Sequence, residues 1–289
     1  MKIGLIYPQT EFGNDPAAII DYAQTAERLG FAHILAYEHI LGASQDHPNA
    51  ARMPYTVRHP FLEPLTLFAF MAAVTRRIEF ATGVIILPQR QTALFAKQAA
   101  TLDILCQGRL RIGIGLGWNE VEYIALNENF HNRGRRIEEQ VEVLRLLWTR
   151  PLVSFQGKWH NIPNAGLNPL PVQCPIPLWF GGTAEPAIRR AARLGDGWMV
   201  SQWDILKEKP ALDLVWRTLD EANRPRDKFG IDGRVYYRDG QPRSWVEQLE
   251  AWRAAGATHI SFNTMAAGLE TPNDHLQAMR LFAEVAGTD

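Results

Sequence analysis

The 289-residue chain carries 30 Lys and Arg against 31 Asp and Glu, with 46% apolar and 21% charged residues. This is ordinary globular composition rather than disorder, and without a basic excess it argues against nucleic-acid binding. Cys106 and Cys174 match neither a disulfide framework nor a zinc pattern, no apolar run approaches the roughly 20 residues of a membrane helix, and Met1-Lys2-Ile3-Gly4 lacks a signal-peptide layout, so the expectation is a soluble, cytoplasmic enzyme acting on a small molecule.

Eight short apolar runs, at 2–7, 32–36, 78–87, 110–115, 176–180, 198–201, 231–237 and 258–263, read as strands. Several are apolar without alternation, as expected for parallel strands covered on both faces. Amphipathic segments lie between them. Asp15-Pro16 is a cap followed by proline at the first helical position, Ile19, Ala23, Ala26 and Leu29 hold one face, and Gly30 marks the stop. Ile137, Val141, Leu144 and Trp148 line a helix that must end by Pro151. Trp245, Leu249 and Trp252 mark the seventh helix, and Leu276, Met279 and Ala283 the last. Eight β-then-α units predict a single (β/α)₈ TIM barrel over residues 1–289. A doubly wound sheet is the competing architecture, but only one glycine follows the first strand where its dinucleotide fingerprint belongs. Insertions at 41–60 and 117–133 follow strands, where barrel enzymes build active sites; a third, at 152–175, contains a predicted hairpin.

Chemistry-bearing residues collect at these strand exits. Ala36-Tyr37-Glu38-His39 ends the second strand and aims His39 at the barrel mouth, as a proton carrier near neutral pH or as a histidine satisfied by structural hydrogen bonds. Glu38, Glu63, Glu120 and Glu122 all lie near strand exits, which leaves paired-carboxylate chemistry open. Thr82-Gly83-Val84 places a glycine inside a strand, a sign of a bulge or a close backbone approach. Gly113, Gly115 and Gly117 strip side chains from one strand face, either to receive a flat ring or to pack the barrel tightly. Gly181-Gly182-Thr183 joins the fifth strand to a helix and reads as a phosphate cradle or as plain turn chemistry.

Together these segments resemble the luciferase-like flavin and deazaflavin oxidoreductase family. The carriers are Ala36–His39, Thr82-Gly83-Val84 with Leu87-Pro88, Lys97–Asp103 with Gly108-Arg109, Gly113–Trp118, Arg133-Gly134 with Glu138-Glu139, Gly181-Gly182, and Gly195-Asp196-Gly197-Trp198. The resemblance covers roughly residues 1–200 and is nearest to the branch that uses the deazaflavin coenzyme F420. It implies a ring in the barrel mouth against a bulged third strand, with a non-proline cis peptide at Gly83-Val84 or a neighbouring bond. Glu38 and His39 would lie at the reactive edge of the ring as catalytic residues, although many deazaflavin members have aspartate where Glu38 stands. Thr82, Gly83, Val84, Gly115, Asn119 and Trp198 would contact the cofactor, and Gly181, Gly182 and Thr183 would take its phosphate. Hydride transfer between F420 and a small organic substrate is the implied reaction. An FMN-dependent monooxygenase using oxygen and a flavin-binding barrel without turnover are the alternatives. Trp118, Trp198 and Trp203 suggest aromatic pocket walls, and Arg52, Arg58, Arg133 and Arg135 a basic exit for a polyglutamate tail. The apolar stretch 61–74 predicts a second burial partner, and family members pair through it, so a homodimer is expected.

Overall fold

Each of the eight apolar runs becomes a parallel strand in a computed structural model that describes residues 1–48, 53–200, 205–238 and 240–288. Arg52, Ser201 and Trp203, read above as part of a tail exit, a strand end and a pocket wall, lie outside the described residues. The barrel strands are β1 (Lys2–Ile6), β2 (His33–Ala36), β3 (Glu79–Thr82) with β4 (Ile85–Ile86), β5 (Leu110–Gly115), β8 (Leu178–Gly181), β9 (Gly197–Met199), β10 (Gly230–Tyr236) and β11 (His259–Asn263). The sheet runs β3-β2-β1-β11-β10-β9-β8-β5, and pairing of β3 with β5 closes it. The predicted hairpin in the third insertion is β6 (Val153–Gln156) with β7 (Asn161–Ala165), antiparallel.

The third barrel strand is broken where its glycine predicts. Ala81 pairs with Arg111 and Ile85 with Ile114, so four steps along β3–β4 match three along β5. One extra residue on one strand is a β-bulge. The cis peptide implied there by the family resemblance is absent: among the described residues the cis bonds are Asn168-Pro169 and Cys174-Pro175.

Helices α1 (Pro16–Arg28), α2 (Pro64–Ala73), α3 (Thr92–Leu105), α4 (Glu120–Ala125), α5 (Arg133–Thr149), α6 (Glu185–Leu194), α7 (Ile205–Glu221), α8 (Pro242–Ala254) and α9 (Pro272–Ala286) fill the connections. Local chemistry sets several of their ends. The Asp15 carboxylate accepts from Ala17 N at 3.0 Å with Pro16 in the first turn, and Thr271 forms a capping box with Asp274 at α9. Ile137, Val141, Leu144 and Trp148 of α5 are all buried, as are Trp245, Leu249 and Trp252 of α8. They form one apolar layer between strands and helices, the dominant favourable contribution to the fold. No helix among the described residues is long and apolar enough to cross a membrane.

Candidate active site

The carboxyl end of β2 divides the roles of two neighbours. Glu38 is buried, accepts from Ile86 N at 2.6 Å and from Arg90 Nε at 3.1 Å, and forms an ion pair with Arg90 Nη2. Arg90 also reaches Glu63 at 2.9 Å, and Glu63 caps α2 by accepting from Thr66 N at 2.7 Å. Burial pushes the Glu38 carboxyl up, and Arg90 opposes that only in part. Both carboxylate oxygens are thus engaged, one of them by β4. Glu38 ties the second half of the bulge to β2 and α2 and presents no free oxygen to the mouth.

His39 faces a different carboxylate. Its Nδ1 lies 3.2 Å from Glu122 Oε1, which also accepts from Ile40 N at 3.1 Å and Leu41 N at 3.3 Å; Glu122 Oε2 accepts from Gln89 Nε2 at 3.0 Å. Burial alone would raise the Glu122 carboxyl, but the hydrogen bonds from His39 and Gln89 outweigh it and hold the group below the usual carboxylate range. An ionised Glu122 accepts only, so the proton between the pair belongs on Nδ1 and Nε2 is left with its lone pair. Among the described residues nothing hydrogen-bonds to Nε2. Three aromatic rings surround the imidazole: Phe61 at 4.8 Å, Tyr55 at 5.1 Å and Trp118 at 5.4 Å between centroids. His39, Tyr55, Thr56, His59 and Phe61 line a cavity of about 270 Å³.

Sequence reasoning places Glu122 near a strand exit but gives it no partner. Only barrel closure brings the first turn of α4 to the loop after β2. Asn119, expected at the rim of a bound ring, serves that same junction. Its Oδ1 accepts from Val121 N at 3.2 Å and caps α4, and its Nδ2 donates to Leu41 O at 3.0 Å.

The glycine-rich face is packed rather than open. A Cβ on Gly115 would lie 2.5 Å from Val84 Cγ2, one on Gly181 2.8 Å from Val84 Cγ1, and one on Gly113 2.0 Å from Thr82 O. The glycines of β5 therefore accommodate the bulge, with Val84 filling the slot. Gly83 is equally tight, a Cβ there falling 2.2 Å from Leu35, and buried Thr82 donates its hydroxyl to Gly113 O at 2.8 Å. Trp198 is not a pocket wall: it is fully buried in the layer between barrel and helices, and its Nε1 donates to Gly182 O at 2.9 Å.

That last bond shapes the loop between β8 and α6. Gly182 sits at φ 121°, a region that disfavours side chains, and Ala184 caps α6 without a side-chain oxygen. The N–H groups of Thr183 and Ala184 donate to no described residue. Exposed amides at the start of a ten-residue helix suit an anion.

Deeper in the barrel, Asp232 accepts from Arg234 at 2.8 Å, Ser261 at 2.9 Å and Arg111 at 3.3 Å, with His33 Nε2 2.8 Å from Ser261 Oγ. Burial opposes the charge on Asp232, but Arg234 and Arg111 hold its carboxyl far below the ordinary range. They form a buried charged cluster beneath the mouth in which Arg111 Nε and Nη1 and His33 Nδ1 have no hydrogen-bond partner among the described residues, and the Arg111 guanidinium lies over the Trp179 ring.

A model of the luciferase-like monooxygenase family matches residues 2–284. A Mycobacterium tuberculosis protein described only as uncharacterized is 34% identical over 279 residues, covering 92% of this chain and 93% of its own length. An FMNH2-dependent dimethylsulfone monooxygenase of Pseudomonas putida is 30% identical over 76% of this chain and 59% of that protein. An F420-dependent hydroxymycolic acid dehydrogenase of M. tuberculosis is 28% identical over 88% and 68%. An F420-dependent secondary alcohol dehydrogenase solved with an F420-acetone adduct shares the fold at TM-score 0.81 and 17% identity, covering 99% of this chain and 98% of that one. A closed parallel barrel with its polar site at the strand exits, matched by the family model over nearly the whole chain, makes this protein an oxidoreductase of the luciferase-like monooxygenase family.

Proposed function

We propose that this enzyme moves hydride between coenzyme F420 and a small organic substrate at the mouth of the barrel. The observation that carries the reading is the His39–Glu122 pair: an imidazole held by an ionised carboxylate, with Nε2 left to give or take a proton. When bound, the coenzyme supplies the hydride chemistry. The chain's own residues bind, orient and move the proton. Thr183 and Ala184 N–H groups hold the phosphate at the α6 terminus, where a side chain on Gly182 would be strained and would meet Ala187 at 3.0 Å. Glu38 and Arg90 fix the bulge behind the ring position, and the aromatic walls around His39 limit water.

FMN with oxygen is the second reading, favoured by the FMNH2-dependent relative. The F420-dependent relative aligns over 259 residues against 231, and exposed Arg58, in the loop after β2, and Arg135, in the first turn of α5, suit an acidic cofactor tail. Titrating the protein with each cofactor by tryptophan fluorescence separates the two. Micromolar binding of F420 is expected; micromolar FMN binding with no F420 binding would overturn the proposal. His39→Asn is expected to keep cofactor affinity within about tenfold and to lower turnover roughly 10²–10⁴-fold. Unchanged turnover would make His39 structural.

The assembly belonging to this reading is a homodimer. Phe70 on α2 and Leu94 and Leu105 on α3 are exposed on adjoining helices, and a second copy of the chain is their proposed cover.

A further inference from the structure

Helix α4 is inverted relative to an ordinary amphipathic helix. Its carboxylate faces inward, with Glu122 1% exposed, and its isoleucine faces outward, with Ile124 71% exposed. The inward half is explained by the four donors around Glu122. Nothing in the described protein covers the outward half. Ile124 is not isolated either. Ile40, Leu41, Val57 and Trp118 are also exposed, and all five come from the two connections that follow β2 and β5, Ile124 from α4 and the other four from loops. Scattered surface leucines need no explanation, but a cluster at the rim of a site does.

Within this rim lies a groove of about 460 Å³, lined by Trp118, Val121, Ile124 and Phe130 together with Met53 and Pro54. The volume is in the range of small-molecule sites, roughly 300–1,000 Å³. Its polar lining is limited to His47 and Glu120. Trp118 walls the groove, and its ring centroid lies 5.4 Å from that of His39. The groove and the His39 cavity share no lining residue, so Trp118 stands between them, and a ligand that spans both passes over its indole onto the exposed face of α4.

We propose that the substrate is an amphiphile, with its reacting polar end at His39 and an apolar tail of several carbons lying in the groove formed by Trp118, Val121, Ile124 and Phe130. This rests on the reading that the reaction takes place at His39, but it makes a separate claim about what extends beyond it. Short polar substrates would leave Ile124 and Phe130 in water throughout the reaction. A tail buries them, with each methylene removed from water adding to affinity.

The test uses 1-alkanols from butanol to dodecanol as probes, with the protein alone and no cofactor, reading the dissociation constant from tryptophan fluorescence. Affinity should rise about fourfold per methylene, equivalent to ~0.8 kcal/mol, and level off when the groove is full. Ile124→Glu should flatten that dependence, costing decanol about tenfold or more while leaving butanol unchanged. Leu152→Glu, at an exposed leucine outside the mouth, should change nothing. Equal affinity along the wild-type series would overturn the proposal. So would a series that Ile124→Glu leaves intact, or one that Leu152→Glu weakens equally. Binding to phosphatidylcholine vesicles without saturable alkanol binding would reassign the rim to a membrane surface and overturn it too. The readout involves neither cofactor nor turnover. His39→Asn protein that has lost nothing in activity but keeps the chain-length dependence would refute the proton role and leave the groove standing.

Discussion

Replacing Glu122 with glutamine keeps the size of the side chain and removes the charge that faces His39 Nδ1. The amide nitrogen would then oppose either the imidazole N–H or the Gln89 amide, because both are donors to the present carboxylate. Turnover should fall by about 10²-fold, at the lower end of the range for acid–base groups. Nitrogen-15 NMR of His39 should show the proton on Nδ1 in the wild type and a mixture of tautomers in Glu122→Gln. A wild-type proton on Nε2 would contradict this assignment. Glu38 and Glu122 also show how far single residues are legible. The sequence places both at strand exits, and chemical type alone cannot rank them. What ranks them is their partners: a guanidinium and a strand amide for Glu38, an imidazole open on its far side for Glu122.

At the scale of elements, the bulge and α2 each make a test. Gly115→Ala would place its Cβ 2.5 Å from Val84 Cγ2, at a stiff β-branched side chain that cannot swing away. A loss of about 1–3 kcal/mol in chemical denaturation is expected, recovered in large part by adding Val84→Ala. No recovery would mean that Gly115 is needed for something other than Val84. Helix α2 reads in sequence as apolar almost all round, which predicts a wide uncovered face. The structure narrows it: Pro64, Leu65, Leu67, Phe68, Met71 and Ala72 are buried within the chain, and the large apolar side chain left over is Phe70, 41% exposed. Phe70→Glu is therefore expected to convert a dimer to a monomer at micromolar concentration, read by sedimentation velocity. A wild-type monomer would remove the homodimer from the proposal. The third strand reads as a single run because Ile78, Phe80 and Thr82 before Gly83, and Val84, Ile85 and Ile86 after it, all favour strand. Its break into β3 and β4 follows from Gly83 and from the mismatch of register with β5, and register is a property of the neighbour.

At the scale of the whole molecule, acid sensitivity follows from three histidines, His33 and His275 buried and His259 half-buried. Burial pushes His259 down to about 3, His275 down to about 4, and His33 well below its ordinary value. The unfolded chain takes up these protons near pH 6.5, whereas the folded chain does not until the lowered values are reached. Between about pH 6.5 and 3 the unfolded state thus binds more protons, so stability falls as the pH falls. The lowered carboxyls of Glu122 and Asp232 extend the loss at still lower pH. Urea midpoints measured from pH 7.5 to pH 4 should decline throughout; a flat profile would show that these histidines are hydrated in the folded protein. The sequence by itself determined the order and kind of the elements, the single barrel and the placing of Glu38, His39 and Glu122 beyond strand ends. Apolar runs, caps and breakers act over a few residues and can be read locally. The tertiary structure alone decided which carboxylate meets His39, that Val84 fills the glycine face, and that α4 turns its isoleucine to solvent. Each of these depends on residues from strands far apart in the chain, brought together only when β3 pairs with β5 and the barrel closes.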